Sequence, residues 1–145
     1  MALSWHTPID DERGLLCVVV YKGNYTYELI RKYGEFTLNF LSIDRLDTIW
    51  FCGTRSGRKI DKVSMLKLKL EPSIKIKTRH IADALAYIEC KVVKEIDMGD
   101  SALIIAKVEY WEARKFDEIW KPEANVAMHV GSKYFCTPSS YYKVE

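Results

Sequence analysis

Ala86-Tyr-Ile-Glu-Cys-Lys-Val-Val-Lys-Glu-Ile-Asp-Met-Gly-Asp-Ser-Ala-Leu-Ile-Ile-Ala-Lys-Val-Glu-Tyr110 is two apolar-rich runs joined by a turn. Tyr87 to Ile96 and Ala102 to Tyr110 read as strands, and Met98-Gly99-Asp100-Ser101 reads as the hairpin turn that makes them antiparallel neighbours. Working outward, Gly14-Leu-Leu-Cys-Val-Val-Val-Tyr21 is β-branched and apolar throughout, the pattern of a strand buried on both faces. Asn24 can cap a helix over Tyr25 to Tyr33, with Glu28 in its first turn and Gly34 as its stop. Phe36, Leu38 and Phe40 give the next strand one apolar face. Asp44 can cap a second short helix bearing Leu46, Ile49 and Trp50, stopped by Gly53. Lys67, Lys69, Lys75 and Lys77 alternate with Leu66, Leu68, Leu70, Ile74 and Ile76, so two short strands are expected around Glu71-Pro72-Ser73. Ile81 to Leu85 reads as a helical turn and Val126 to Val130 as a last strand. No strand–helix–strand alternation of the parallel kind occurs. The expectation is a mainly β fold, an antiparallel barrel with a few short peripheral helices.

A chain of 145 residues, 48% hydrophobic and 29% charged, has globular composition and suits a single domain over residues 1–145. It excludes a disordered or low-complexity protein. No apolar run approaches the roughly 18 residues of a membrane helix, and the start of the sequence does not resemble a secretory signal. Cys17, Cys52, Cys90 and Cys136 are far apart with no CxxC pair, which argues against a zinc site and for free thiols in a reducing, cytoplasmic setting. Net charge is only +2, but residues 55–80 hold nine basic against two acidic side chains.

Catalytic signatures are absent: no GxSxG, HExxH, Walker loop or GxGxxG, and His6, His80 and His129 are scattered. The most informative stretch is Gly53-Thr54-Arg55-Ser56-Gly57-Arg58-Lys59-Ile60-Asp61-Lys62. Its glycines permit close backbone approach and its hydroxyls can donate. On a helix starting near Gly57, Arg58 and Lys62 would share one face beside free N–H groups, which suits a phosphate monoester. The plainer alternative is a solvated polar turn. The helix start at Lys22 to Asn24 is a second candidate for the same anion. Ser4-Trp5-His6-Thr7-Pro8 is either a plug over the core or a wall against a planar ring. Asn39-Phe40-Leu41-Ser42 ends a strand in polar groups, and Asn39 can equally bond a neighbouring loop. A basic strand face could bind single-stranded nucleic acid as an OB-fold does. Between Arg55 and Arg79, however, there is no Phe, Tyr or Trp to stack on a base, so a solvated face is preferred.

Taken in order, Ser4-Trp-His-Thr-Pro8, Tyr25-Thr-Tyr-Glu-Leu-Ile30, Gly34-Glu-Phe-Thr-Leu-Asn-Phe40, Gly53-Thr-x-Ser-Gly-Arg-x-x-Asp-Lys62, Ala86-Tyr-Ile-Glu-Cys-Lys-Val-Val93 and Gly99-Asp100 resemble the flavin reductase-like family. That family has the FMN-binding split-barrel fold, Greek-key-like and antiparallel. The resemblance implies a homodimer with FMN in a groove near the subunit interface. Ser4, Trp5, His6 and Thr7 would line the isoalloxazine ring, and Asn39, Leu41 and Ser42 would lie along the flavin and its ribityl chain. Gly53, Thr54, Ser56, Gly57, Arg58 and Lys62 would meet the phosphate. His129, in Met128-His-Val-Gly131, resembles a position beside the nicotinamide, so it is the candidate catalytic residue. The implied activity is hydride transfer from NADH or NADPH to flavin, with an electron-accepting protein downstream as a further partner. The alternatives are an electron carrier without turnover and, in another class, the nucleic-acid binder. No metal, membrane or nucleic-acid partner is expected. Family members usually start a strand or two earlier than this sequence, so the expectation is either a short or missing N-terminal hairpin or a start placed late. Ser101 and Ala106 stand where the family pattern has His and Gly.

Overall fold

The central hairpin is the spine of the molecule. In the computed structural model, which describes residues 1–144, β6 (Ala86–Met98) and β7 (Ser101–Ala113) are both 13-residue strands paired antiparallel. Gly99, at φ 75°, opens the two-residue turn between them. β1 (His6–Asp10), β2 (Leu15–Tyr21) and β3 (Glu35–Phe40) complete a five-stranded sheet in the order β1-β2-β7-β6-β3, antiparallel at every step. Two irregularities coil the long hairpin. Glu109 is extra on β7 and Val93 is extra on β6, and such bulges strengthen twist. Two small ribbons lie outside the sheet, β4 (Leu70–Glu71) with β5 (His80–Ile81) and β8 (Met128–Gly131) with β9 (Tyr134–Cys136).

Period-two alternation sends Leu16, Val18 and Val20 of β2, Ala102, Ile104 and Ala106 of β7, Cys90 of β6 and Phe36 of β3 into one core. Helix α1 (Tyr25–Tyr33) adds Tyr27 and Ile30 to it. Its C-terminus is closed as expected: Gly34 takes the left-handed conformation at φ 68° and its N–H donates to Ile30 O at 2.8 Å. Helices α2 (Leu46–Thr54) and α3 (Lys62–Met65) follow β3.

The fold is mainly β with short peripheral helices, and its barrel is split. Among the described residues no backbone ladder joins β1 to β3. The free edge of β3 is covered by the loop before β5: Thr37 Oγ1 donates to Arg79 O, and Asn39 Oδ1 accepts from Ile81 N at 2.8 Å. At one end an edge-to-face contact of His6 with Phe40, 5.7 Å between centroids, spans the seam.

Several expectations need correction. The lysine-alternating stretch forms a strand only at Leu70–Glu71; residues 74–78 are a bend. Two carboxylates draw their backbone away from a ladder. Buried Glu89 accepts from Ile74 N and Lys75 N, both at 2.7 Å, while Glu35 accepts from Lys77 N, Thr78 N and Thr78 Oγ1. Gly53 does not stop α2, which continues through it to Thr54. The cap ahead of α2 is Ser42 rather than Asp44; its Oγ accepts from Asp44 N in a 3-10 turn over Ile43–Arg45. Ile81 to Leu85 is a strand end and a turn, and the late strand sits at Met128–Gly131 with an unforeseen partner, β9. The N-terminal segment, read only as a wall or plug, supplies a sheet strand from His6 onward.

Candidate functional site

A cleft of about 900 Å³ opens between the start of α1 and the segment from Cys52 to Lys62. Gly53, Thr54, Ser56, Gly57, Arg58 and Lys62 all line it, so the structure gathers every residue expected at a phosphate. Their local arrangement differs from expectation. The helix begins at Lys62, not near Gly57, so Arg58 and Lys62 do not share a helical face. Nor is the α3 N-terminus open to an anion. The Asp61 carboxylate already accepts from Val63 N and Ser64 N, and the Ser64 hydroxyl donates to it at 2.6 Å. Those bonds, Ser64's first among them, hold the Asp61 carboxyl below its ordinary pKa.

The other helix start at the cleft is that of α1, where Asn24 N and Tyr27 N donate to Tyr21 O and Asn24 O, and Tyr25 and Thr26 carry the remaining first-turn N–H groups. Gly23, Asn24, Tyr25 and Thr26 line the opposite wall, and the Asn24 side chain makes no capping bond. The Gly53–Lys62 loop and Gly23–Asn24 of the second candidate place are therefore walls of one cleft, but Lys22, expected there as a cation, does not line it and donates to Asp97 at 2.7 Å. Arg58 joins the two walls. Its Nη1 donates to Gly23 O at 2.8 Å, its Nη2 pairs with Glu28, and its guanidinium lies 5.7 Å from the centroid of Tyr25. A side chain at Gly57 would place Cβ 3.1 Å from Tyr25 Cδ1, so glycine lets the loop close on this ring. Lys62 Nζ donates to Cys52 O at 2.6 Å, a cation at the C-terminal end of α2. Thr54 donates its hydroxyl to Trp50 O, while Ser56 Oγ accepts from Arg58 N and keeps its proton for a ligand. Two cations, a free hydroxyl and an uncapped helix start fit a phosphate monoester.

Four of the remaining expected residues, Ser4, Leu41, Ser42 and His129, lie along one further segment. Ser4 Oγ lies 2.8 Å from His129 Nδ1, and His129 Nε2 lies 3.1 Å from Ser132 O. A carbonyl can only accept, so Nε2 carries the proton. In the neutral ring Nδ1 then accepts from the Ser4 hydroxyl. Leu41 and Ser42 lie beside the same segment: Leu41 O accepts from Ala127 N, and Ser42 bridges to Val126. Trp5, His6 and Thr7 are exposed, with Trp5 at 69%. Asn39 is used locally, on Thr37 and Ile81. Ala2 lines the cleft and Ser4 touches His129, so the segment ahead of β1 runs from one place to the other.

Sequence reasoning missed Gly23, Tyr25 and Glu28 as partners of Arg58. The only signal was Glu28 in the first turn of a helix, which its dipole alone explains.

The family described as flavin reductase like domain matches residues 1–130. An uncharacterized protein of Archaeoglobus fulgidus is 34% identical over 143 residues, 97% of this chain and 81% of its own length. One from Pyrococcus abyssi is 34% identical over 140 residues, 94% and 80% of the two chains. Among solved structures, an FMN-binding domain of a flavin reductases-like enzyme from Shewanella baltica superposes with TM-score 0.88 at 20% identity, covering 99% of this chain and 80% of that one. A flavoredoxin from Methanosarcina acetivorans gives 0.87 at 19% identity, covering 98% and 78%. The open five-stranded sheet is thus the sheet of those proteins, and this chain belongs to the flavin reductase-like domain family.

Proposed function

We propose that the protein binds FMN and acts as an NADH- or NADPH-dependent oxidoreductase of the flavin-reductase type. One observation carries the reading: the cleft between α1 and Gly53–Lys62 assembles Arg58, Lys62, the Ser56 hydroxyl and the uncapped α1 start around a single space. The order of parts along the N-terminal segment supports it. The phosphate-suited cleft lies at Ala2, and the exposed Trp5, His6 and Thr7 lie at the far end, where a planar ring would rest. When bound, FMN supplies the ring that accepts hydride from a reduced nicotinamide. The chain's own tasks are to hold the phosphate, orient the ring and fix the orientation of His129, with Nε2–H donating to the Ser132 carbonyl and Nδ1 facing Ser4. His129 then stands at the ring end as the candidate nicotinamide-side residue, steadied by Ser4.

The second face of the sheet supports a homodimer. Pairing register places Trp5, Val19, Leu103 and Ile96 in one row across β1, β2, β7 and β6, opposite the core that α1 completes. Trp5 and Ile96 are exposed and Val19 and Leu103 only partly covered, an apolar face that a second copy would bury.

The test is spectroscopic. Purified protein titrated with FMN should give a bound flavin spectrum, and anaerobic NADH or NADPH should bleach it. Bound flavin that no pyridine nucleotide bleaches would leave an electron carrier, and no flavin binding would remove the reading.

A further inference from the structure

We propose that Glu28 competes with the ligand phosphate for Arg58, and that this competition keeps FMN exchangeable instead of permanently held. The inference rests on the reading that the cleft takes the FMN phosphate. Glu28 does not line the cleft; it reaches the site only through Arg58. Arg58 is already oriented without it, since Gly23 O accepts from Nη1 and the Tyr25 ring lies against the guanidinium. What Glu28 adds is a full negative charge on Nη2, the other branch of the fork. A guanidinium binds phosphate best through two parallel N–H groups, and here each branch carries a partner from this chain. An incoming phosphate must share the fork with Glu28 or displace it.

The exchange is within reach. The Arg58 and Glu28 side chains are 41% and 54% exposed, so water and salt weaken the pair. Once released, Glu28 is about half exposed, so water solvates its carboxylate. The cleft's other carboxylate, Asp61, is committed to Val63 and Ser64 and does not contest Arg58. The result is a binding site with a resident anion that a dianion can replace. Its affinity for a phosphorylated ligand is tuned down, while a ligand lacking phosphate is unaffected. That is the behaviour required of a flavin that arrives, is reduced and leaves.

The experiment measures FMN and riboflavin affinity, and FMN release rate, for the intact protein and for Glu28→Gln, Arg58→Ala and the double variant. Glu28→Gln should tighten FMN about two- to fivefold and slow its release, with riboflavin unchanged; equal riboflavin binding also certifies the fold. Arg58→Ala should weaken FMN alone, and adding Glu28→Gln to it should restore nothing, because the competitor then has nothing to compete for. Weaker or unchanged FMN binding in Glu28→Gln, with Arg58→Ala still selective for FMN, would overturn the role of Glu28 and leave the phosphate site standing. Tightening that persists in the double variant would reduce Glu28 to a general charge effect and also overturn it. If Arg58→Ala affects FMN and riboflavin alike, the phosphate site itself is misplaced and the inference falls with it.

Discussion

Glu89 carries a carboxylate to the middle of the sheet, fully buried, and holds it there with two backbone N–H groups from another segment. Hydrogen bonds to a charged group contribute about 1.5–3 kcal/mol each, and a buried N–H left without a partner costs a similar amount. Glu89→Ala is therefore expected to cost about 3 kcal/mol or more, read by guanidinium denaturation. It should also free residues 74–79, so that trypsin cuts native protein after Lys75, Lys77 or Arg79. A loss under about 1 kcal/mol with no new cleavage would mean that the loop is held by something else. Nearby, Tyr87 stacks on His80 with ring centroids 3.7 Å apart and donates its hydroxyl to Glu112. Burial first, and the Glu112 charge second, push the Tyr87 phenol from 10.0 up to about 12. The folded state thus keeps a proton that the unfolded chain loses. This contribution is fully present below pH ~10 and is lost as pH rises toward ~12. Stability measured across that window should fall with pH, and Tyr87→Phe should make the fall shallower. An unchanged slope in the variant would show that other groups set it, Cys90 foremost, since burial raises that thiol to about 12 as well.

Elements whose signal is local were legible in the sequence; those settled by a distant side chain were not. Helix α1 is bounded by Asn24 and Gly34 because a β-region start and a left-handed stop are properties of those residues themselves. Replacing Gly34 by Ala at φ 68°, with open space around its Cβ, isolates the backbone cost and should lower stability by about 1 kcal/mol; thermal unfolding checks it. The lysine stripe misled because its period-two burial is real. Leu66, Leu68 and Ile76 turn inward while Lys67, Lys69 and Lys77 turn out, yet no long ladder forms: the N–H groups of Leu66, Lys67 and Leu68 turn back to the Lys62, Ser64 and Val63 carbonyls, and those of Ile74, Lys75 and Lys77 go to Glu89 and Glu35. Burial pattern reports which side faces the core, and it does not say what pairs with the backbone. The candidate site follows the same division. The stretch from Gly53 to Lys62 announced itself by composition, but its helix start was misplaced because Asp61, not Gly57, carries the cap. The joining of that loop to α1 through Arg58, Gly23 and Glu28 depends on a contact across 30 residues that no spacing rule describes.

At the scale of the whole molecule, the sheet is apolar on both faces and α1 packs on one of them. Tyr27 and Ile30 of α1 pack with Val18, Val20 and Ile104, while the row of Trp5, Val19, Leu103 and Ile96 faces the other way. Three of the four tryptophans, Trp5, Trp50 and Trp111, are exposed, more aromatic surface than a small isolated chain usually presents to water. Two copies related by a two-fold axis would cover such a face with itself, each row meeting its own image. Leu103 tests this cleanly. It lies between Val19 and Ile96 in the register, while its neighbours Ala102 and Ile104 face the core, so a charge at Leu103 leaves the core intact. In an isologous interface each substitution counts twice, so Leu103→Lys would place two ammonium groups within one apolar contact. Sedimentation at micromolar concentration should show a dimer for the intact protein and a folded monomer for the variant. Trp5 belongs both to this row and to the Ser4–Thr7 segment proposed to face the flavin ring. The variant should therefore also lose affinity for FMN and riboflavin together, unlike Arg58→Ala, which acts on FMN alone. An intact protein that is already monomeric would defeat the dimer proposal. A monomeric Leu103→Lys that binds both flavins as before would place the whole groove within a single chain.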